Sequence, residues 1–438
     1  MKFEYVLSGM NMCNIVGPAF MSAPENIKAT QLSIEDTNRD NDYFLSGLFN
    51  AYVEPALAKK VNDNYRHSFN LVQGDSGGLQ VVTRGLEITP ELKLQVYKTQ
   101  AELADIGMCY DEIPLHVTES AGSSNRVSID NKKFFVEEME AAARKTGKNV
   151  EEQLRTFDDL NSNTQVMLIV QGNNRYDMAK WAEYAYSEVS DDLKSKIYGI
   201  AMADTCIGNG VLETVEMCAA IPMMNIPSSI KKNIHFLGVG SIARLIPIIE
   251  LSRTPLFSDC KISFDSSSHS SSMVMGKFTT LQGRQVQMGK CASRATLSFL
   301  RDVYDEMSKY IDHDVTFDEY SKYVIDHMNT MKHLTDYSNY GLGCLANSTY
   351  WFTTLISARR FMDNVVKCQQ DSKHYYNILS KQNLKSIRPL LQLANITNES
   401  DFDVWFNSYS KYVPSARIPR VESNNHVSED ITLHSFFQ

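Results

Sequence analysis

Short apolar runs alternate with segments of helical periodicity between about residues 70 and 265, and this alternation predicts the fold. Each run has the length of a buried strand and stops at a polar or glycine-rich residue. Helices are predicted between the runs, as at Thr89-Pro90-Glu91, where a capping residue precedes a proline in the first helical position. The six predicted strands are Phe69–Val72, Ile106–Tyr110, Val166–Val170, Ile197–Ala203, Ile234–Gly240 and Cys260–Phe264.

The repeated strand–helix units predict an α/β protein, a (β/α)8 TIM barrel whose strands present functional residues at their C-terminal ends. A doubly wound open sheet has the same alternation and is the structural alternative. We favour the barrel because the polar strand ends are spread over roughly 190 residues, whereas an open sheet gathers them at one switch point.

The two ends of the chain differ from this central part. Residues 1–60 have a weak pattern, from which we predict a helix over Phe44–Lys60. Beyond about residue 285 helical periodicity dominates. We therefore divide the chain into a TIM-barrel domain, residues 1–284, and a mainly α-helical C-terminal extension with a polar tail, residues 285–438. The helices predicted in the extension are Ala295–Tyr310, Phe317–Met331 and Tyr350–Gln369.

Composition and charge narrow the possible functions. With 438 residues, 43% hydrophobic and 22% charged, the chain can build a barrel and an appended domain. A net charge of −9 excludes a surface that is basic all over, so a nucleic acid would need a local basic stripe. The opening Met1-Lys2-Phe3-Glu4-Tyr5 lacks signal-peptide features, and no run of about 18 apolar residues occurs. We expect a cytoplasmic protein without a membrane span.

Cysteines and histidines give no metal signature. The eight cysteines include no Cys-x-x-Cys pair, and we expect reduced, buried thiols. The ten histidines show no His-x-x-x-His or mixed Cys/His spacing. We therefore predict no metal site, and we expect each histidine to lie on the surface or to be hydrogen-bonded in the core.

The stretch Gly74-Asp75-Ser76-Gly77-Gly78-Leu79-Gln80 allows two chemical interpretations. Gly-Asp-Ser-Gly-Gly surrounds the nucleophilic serine of chymotrypsin-like proteases, whose triad runs His, Asp, Ser along the chain. Here the only histidine before Ser76 is His67, and too few residues precede Ser76 to build a triad and its β-barrel. The protease interpretation fails, so interest moves from Ser76 to Asp75.

Four aspartates stand where predicted strands end: Asp75, Asp111, Asp204 and Asp265. Any one of them alone is typical of a helix cap. Four at one rim of a barrel repel one another unless a ligand or shared protons relieve the repulsion. Paired carboxylates around an anomeric carbon carry out glycosyl transfer, in which one attacks C1 and the other protonates the leaving group.

Residues 266–301 contain no Asp or Glu but include five basic side chains. A solvated helix face and a phosphate-contacting stripe both explain this composition, and the residues alone do not choose between them. The basic residues are Lys277, Arg284, Lys290, Arg294 and Arg301.

Six short motifs, in the order of the family, resemble the tRNA-guanine transglycosylase superfamily over roughly residues 70–280. Each motif is short, and together they are specific. The motifs are Asp75-Ser76-Gly77-Gly78-Leu79-Gln80, Thr89-Pro90-Glu91, Asp105-Ile106 leading to Tyr110-Asp111-Glu112, Ile169-Val170-Gln171-Gly172, Phe236-Leu237-Gly238-Val239-Gly240 and Phe264-Asp265.

The resemblance implies a double displacement at a nucleotide sugar. It implies that Asp265 is the nucleophile that attacks C1′ and expels guanine, and that Asp75 is the general acid/base. The target nucleotide must then be turned out of any stack. The implied base contacts are Ser76, Asp111, Gln171, Gly172, Ala203, Asp204, Leu237 and Gly238. The expected phosphate contacts are Lys277, Arg284, Lys290 and Arg294.

The chain also departs from the family pattern. It lacks the Cys-x-Cys-x-x-Cys and following histidine of the family's zinc site, so we expect no zinc subdomain. Leu79 stands where the family has an aromatic residue, and Ala203-Asp204 replaces a glycine pair. Asp259 is an alternative nucleophile, but Asp265 follows its strand directly and keeps the preceding phenylalanine.

A zinc-less chain with a different C-terminal part is more similar to the phage 7-deazaguanine DNA transglycosylases than to the tRNA enzymes. The resemblance implies exchange of guanine in DNA for a preQ0-type 7-deazaguanine, without a cofactor, in the host cytoplasm if the chain is phage-encoded. The alternatives are a tRNA-guanine transglycosylase of the queuosine or archaeosine type and a non-catalytic nucleic-acid-binding barrel. The expected partners are DNA, or tRNA, and the two bases, with a homodimer among the candidate assemblies.

Overall fold

In a computed structural model of the chain, eight parallel strands form a closed barrel. The strands follow one another around the barrel in chain order, and the first pairs with the last. The barrel strands are β1 (Phe3–Ser8), β2 (Tyr43–Asn50), β3 (Val72–Asp75), β4 (Ile106–Met108), β7 (Gln165–Val170), β8 (Ile197–Met202), β9 (Asn233–Phe236) and β10 (Lys261–Ser266). Two antiparallel pairs stand apart from the barrel: β5 (Val117–Glu119) with β6 (Val127–Ile129), and β11 (Lys277–Thr279) with β12 (Gln285–Gln287).

The structure describes residues 2–8, 41–52, 55–66, 69–78, 88–113, 117–119, 127–129, 136–203, 210–266, 277–279, 285–287, 297–298, 300–302, 304–305, 308, 316–322 and 344–415.

Helices connect the strands and continue after the last strand. Those before β10 are α1 (Pro55–Tyr65), α2 (Pro90–Leu103), α3 (Val136–Asp159), α4 (Arg175–Ser187), α5 (Val211–Met223), α6 (Ser228–Lys231) and α7 (Ile242–Leu251). Those after it are α8 (Cys344–Gln370), α9 (Tyr375–Ile378), α10 (Lys381–Leu384), α11 (Ile387–Leu391) and α12 (Glu399–Tyr409). Within the described ranges, no helix has both the length and the apolar character needed to cross a bilayer.

The predicted (β/α)8 barrel with C-terminal helices is confirmed. The sequence could predict it because signals such as helix caps act locally. The side chain of Thr89 accepts a hydrogen bond from the backbone N–H of Leu92, and Pro90 occupies the first helical position of α2. The six predicted strands correspond to β3, β4 and β7 to β10, with shifts of a few residues at their ends. The strand predicted over Phe69–Val72 begins at Val72 and extends to Asp75.

The helix predicted over Phe44–Lys60 is wrong. Residues 43–50 form β2, and α1 begins only at Pro55. Apolar residues at 44, 45, 48 and 49 have the spacing of a helix face, which explains the error. In the barrel, β2 is buried on both faces between β1 and β3, so it has no need of strict alternation.

Helix α8 covers the seam at which the barrel closes. The ring of Phe361 lies edge-on to Tyr5 of β1, with centroids 5.5 Å apart, and to Phe264 of β10, with centroids 6.3 Å apart. All three side chains are buried. Aromatic packing therefore fastens α8 across the two strands that complete the barrel. The division of the chain at residue 284 stays a prediction.

The helices after α8 are anchored on the outside of the barrel by two polar clusters. Arg175 at the start of α4 forms an ion pair with Asp403 of α12 at 2.6 Å, and its guanidinium lies 4.0 Å from the ring centroid of Phe406. Buried Glu250 of α7 accepts a hydrogen bond from the hydroxyl of Tyr375 at 2.8 Å. The C-terminal helices thus pack on α4 and α7.

Candidate functional site

The predicted catalytic and base-contacting residues that the structure describes gather at one end of the barrel. Asp75 is the last residue of β3, and Asp265 is the next-to-last residue of β10. Asp111, Gln171 and Leu237 follow the ends of β4, β7 and β9. Because the strands are parallel, these residues share the C-terminal rim, where TIM barrels place their functional sites.

The carboxyl group of Asp75 has a pKa above the usual range of an aspartate. Its Oδ2 accepts a hydrogen bond from Asn50 Nδ2, at the end of the neighbouring strand β2, at 3.1 Å. Burial raises the pKa of Asp75 to about 6; the charge of Asp265 raises it too, while backbone N–H groups of Gly77 and Ser76 oppose the rise. A carboxyl group tuned in this way can both give up and accept a proton at physiological pH.

Asp111 and Gln171 form a buried pair beside Asp75. Gln171 Nε2 donates a hydrogen bond to Asp111 Oδ2, and both side chains are buried. Burial raises the pKa of Asp111 to about 7, and the charge of Asp75 adds to the rise. Among the described residues, Gln171 Oε1 has no hydrogen-bond partner, so a buried acceptor remains available.

The loop after β3 brings its backbone against Asp111. Ser76 is buried, and its Oγ accepts a hydrogen bond from the N–H of Gly78 at 3.4 Å. A Cβ on Gly78 would lie 3.0 Å from Asp111 Oδ1. Gly77 adopts a positive φ of 75°, and a Cβ there would lie 2.7 Å from Tyr52 Cβ. Gly77 is therefore required by the fold of this loop, and Gly78 lets the loop lie close to the Asp111 side chain.

Asp265 is held through one of its two carboxylate oxygens. Oδ1 accepts a hydrogen bond from the backbone N–H of Gly238 at 2.8 Å and lies 3.3 Å from His235 Nε2. No described residue donates a hydrogen bond to Oδ2. One oxygen is thus fixed, and the other keeps its lone pairs.

His235 of β9 is a site residue that the sequence did not single out. It is fully buried, and its Nδ1 lies 2.9 Å from the Oγ of Ser263, with which it is in register across β9 and β10. The expectation of a hydrogen-bonded core histidine is confirmed here, but its partner is the predicted nucleophile. A polar residue inside an apolar strand is the one sequence signal for His235, and its pairing with Ser263 appears only in the register of β9 and β10.

The remaining predicted base contacts have different surroundings. Gly238 has a positive φ of 67°, and a Cβ built on it would meet nothing within 4 Å. Gly172 has a packing role, because a Cβ there would lie 2.7 Å from the backbone nitrogen of Met178 in α4. Ala203 is buried and Leu237 partly buried. Asp204 lies outside the described residues.

Asp259, the alternative nucleophile, lies at the wrong end of the barrel. It precedes β10, whereas Asp265 is near the C-terminal end of that strand. Its side chain is 81% exposed and sits 4.0 Å from the ammonium group of Lys232. The geometry therefore separates Asp259 from the rim that holds Asp75 and Asp111.

Most of the predicted phosphate contacts lie outside the described residues. These are Arg284, Lys290 and Arg294, and of Lys277 only the backbone in β11 is described. The guanidinium of Arg301 is 3.5 Å from the ring centroid of Phe317. This cation–π contact is the described interaction of the fifth basic residue in the 266–301 segment.

The site was also compared with metal centres and the chain with known proteins. In the part of the chain that the structure describes, no three His, Cys, Asp or Glu side chains are grouped so that they could hold a metal ion. The four cysteines described, Cys109, Cys218, Cys260 and Cys368, are buried free thiols. No protein-family model matches the chain, and no curated protein matches it significantly.

Proposed function

We propose that the chain exchanges a guanine base in nucleic acid for a 7-deazaguanine through a covalent intermediate on Asp265. One observation carries the proposal: two carboxyl groups interact at the same rim of the barrel. Asp265 on β10 has a fixed orientation and one oxygen without a donor among the described residues, and Asp75 on β3 has a pKa of about 6. This is the division of roles that retaining glycosyl transfer requires.

In the first half-reaction, Asp265 Oδ2 attacks C1′ of the target nucleotide. The bond between C1′ and the base breaks, and its electron pair leaves with guanine. Protonated Asp75 supplies the proton that neutralises the departing base, and burial favours this protonated form. The products are a sugar ester of Asp265 and free guanine.

In the second half-reaction, the 7-deazaguanine takes the place of guanine. The Asp75 carboxylate removes the proton from the ring nitrogen that will bond to the sugar, and this nitrogen attacks C1′. The ester bond breaks, and its electron pair returns to Asp265. Two inversions at C1′ retain the original configuration.

The buried pair of Asp111 and Gln171 supports recognition of a guanine edge. Guanine offers adjacent N–H donors on its pairing edge. The carboxyl group of Asp111 offers acceptor oxygens, and Gln171 Oε1 is a buried acceptor without a partner among the described residues. Two neighbouring acceptors match two neighbouring donors, and a purine that lacks those donors would leave them unpaired.

The resemblance to the phage enzymes favours DNA over tRNA as the polymer. The experiment that tests the function incubates the purified chain with radiolabelled guanine or preQ0 and either duplex DNA or tRNA. We expect label in DNA and a covalent protein–DNA adduct on a denaturing gel. Label in tRNA alone would replace the substrate, and label in neither polymer would leave a non-catalytic binding barrel.

Two matched variants assign the nucleophile. Asp265→Asn should abolish the adduct, because an amide oxygen is a poor nucleophile. Asp259→Asn makes the same chemical change at an exposed position just before β10, and it should leave the adduct unchanged. An adduct that survives in the first variant refutes the assignment of Asp265.

A further inference from the structure

We propose that His235 is a positioning residue that fixes Asp265 and shares its negative charge when the covalent ester breaks. The inference rests on the proposed function, and it extends that function to a residue outside the carboxyl pair. The geometry that supports it is a relay across two strands, from Ser263 through the imidazole of His235 to Asp265.

The relay fixes which ring nitrogen carries a proton. A carboxylate can only accept hydrogen bonds, so the contact between Nε2 and Asp265 Oδ1 requires a proton on Nε2. The Ser263 hydroxyl has two acceptors in reach, His235 Nδ1 at 2.9 Å and the carbonyl oxygen of Ile234 at 3.4 Å. The shorter contact lets Ser263 donate to Nδ1, which leaves the proton of a neutral ring on Nε2.

Packing prevents the imidazole from turning away. His235 has no exposed surface, and Ser263 is buried beside it. The register of β9 and β10 sets the two side chains opposite each other on the same face of the sheet. The imidazole is therefore a preorganised donor whose position does not depend on substrate.

This donor has its largest effect on one half of the reaction. In the ester, Oδ1 is a carbonyl oxygen that still faces His235 Nε2 and the N–H of Gly238. When the bond between C1′ and Oδ2 breaks, negative charge develops on the Asp265 carboxylate. Donors already aimed at Oδ1 stabilise that charge, so they make Asp265 a better leaving group.

The kinetic test compares two variants. His235→Phe keeps a planar ring but removes the donor, whereas His235→Gln keeps an N–H donor near the position of Nε2. For His235→Phe we expect ester breakdown to slow about a hundredfold, so that the adduct accumulates, with unchanged affinity for the nucleic acid. For His235→Gln we expect breakdown close to that of the wild type.

Opposite outcomes overturn the proposal. Equal adduct lifetimes in wild type and His235→Phe exclude a role in charge sharing. If His235→Gln is as slow as His235→Phe, an N–H donor at this position does not restore ester breakdown, and the proposed role of the donor is refuted. If the wild-type chain forms no adduct, the proposed function fails. The hydrogen-bond relay is then tested separately, by measuring which ring nitrogen of His235 carries the proton.

The position of the proton is measured without turnover. Histidine labelled with nitrogen-15 reports which ring nitrogen is protonated, and the signal lost in His235→Gln assigns the residue. We expect a protonated Nε2. A ring that carries its proton only on Nδ1 contradicts the relay, whatever the activity of the protein.

Discussion

The buried carboxyl group of Asp111 should make the fold more stable in mild acid than in mild alkali. Burial raises the pKa of Asp111 from 3.8 to about 7. Between these values the folded chain binds a proton that the unfolded chain has released. Stability contributed by the protonated group is therefore present at low pH and is lost as the pH rises toward 7, the reverse of a carboxylate with a lowered pKa.

The magnitude follows from the size of this pH window. From pH 7 down to pH 5, each unit is worth about 1.4 kcal/mol of unfolding free energy. Asp111 should therefore contribute about 3 kcal/mol more stability at pH 5 than at pH 8. Asp111→Asn removes the titration and keeps an amide oxygen that can accept from Gln171 Nε2.

The assay is equilibrium unfolding in urea, followed by tryptophan fluorescence, for wild type and variant at both pH values. The free energy of unfolding of Asp111→Asn relative to wild type should be about 3 kcal/mol larger at pH 8 than at pH 5. The comparison cancels other titrating groups and any pH-independent cost of the amide. Asp259→Asn, at an exposed position, is the control. The same relative stability at both pH values would refute the reasoning.

Further predictions concern the acid/base, the base contact and the barrel seam. Asp75→Asn should slow exchange by about 10²- to 10⁴-fold, measured as incorporated label, with the nucleic acid still bound. Gln171→Glu places a second carboxylate beside Asp111 and should weaken binding of free guanine at least about tenfold, measured by calorimetry, whereas Gln171→Ala should weaken it less. Phe361→Ala should lower the free energy of unfolding by about 3–5 kcal/mol, measured in urea; a loss below 1 kcal/mol would mean that α8 does not hold the seam.

Local signals explain how much of the fold the sequence predicts. Thr89 and Pro90 start a helix because capping and a fixed φ act within one turn. The first two strands were not predicted, because β1 and β2 owe their identity to long-range pairing. β1 is a strand because β2 and β10 pair with it on either side. The local sequence pattern of β1 does not indicate which strands those will be.

The candidate site was predictable where a residue ends a strand, as Asp75 does, or follows one closely, as Asp111 does. It was not predictable where a residue lies inside one. His235 and Ser263 meet only because the register of β9 and β10 sets them opposite each other. Asn50 reaches Asp75 from β2, a strand predicted as a helix. Contacts of this kind depend on which strands become neighbours.

The seam between β1 and β10 also determines when Asp265, the proposed nucleophile, can reach its position in the barrel. Val6 pairs with Asp265, so the partners are about 260 residues apart in the chain. During synthesis, the strands up to β9 leave two open edges, each able to pair with another chain. Only when β10 and then α8 emerge does the barrel close and Asp265 take its place. A nascent or truncated chain that ends before β10 therefore carries Asp75 without Asp265 beside it.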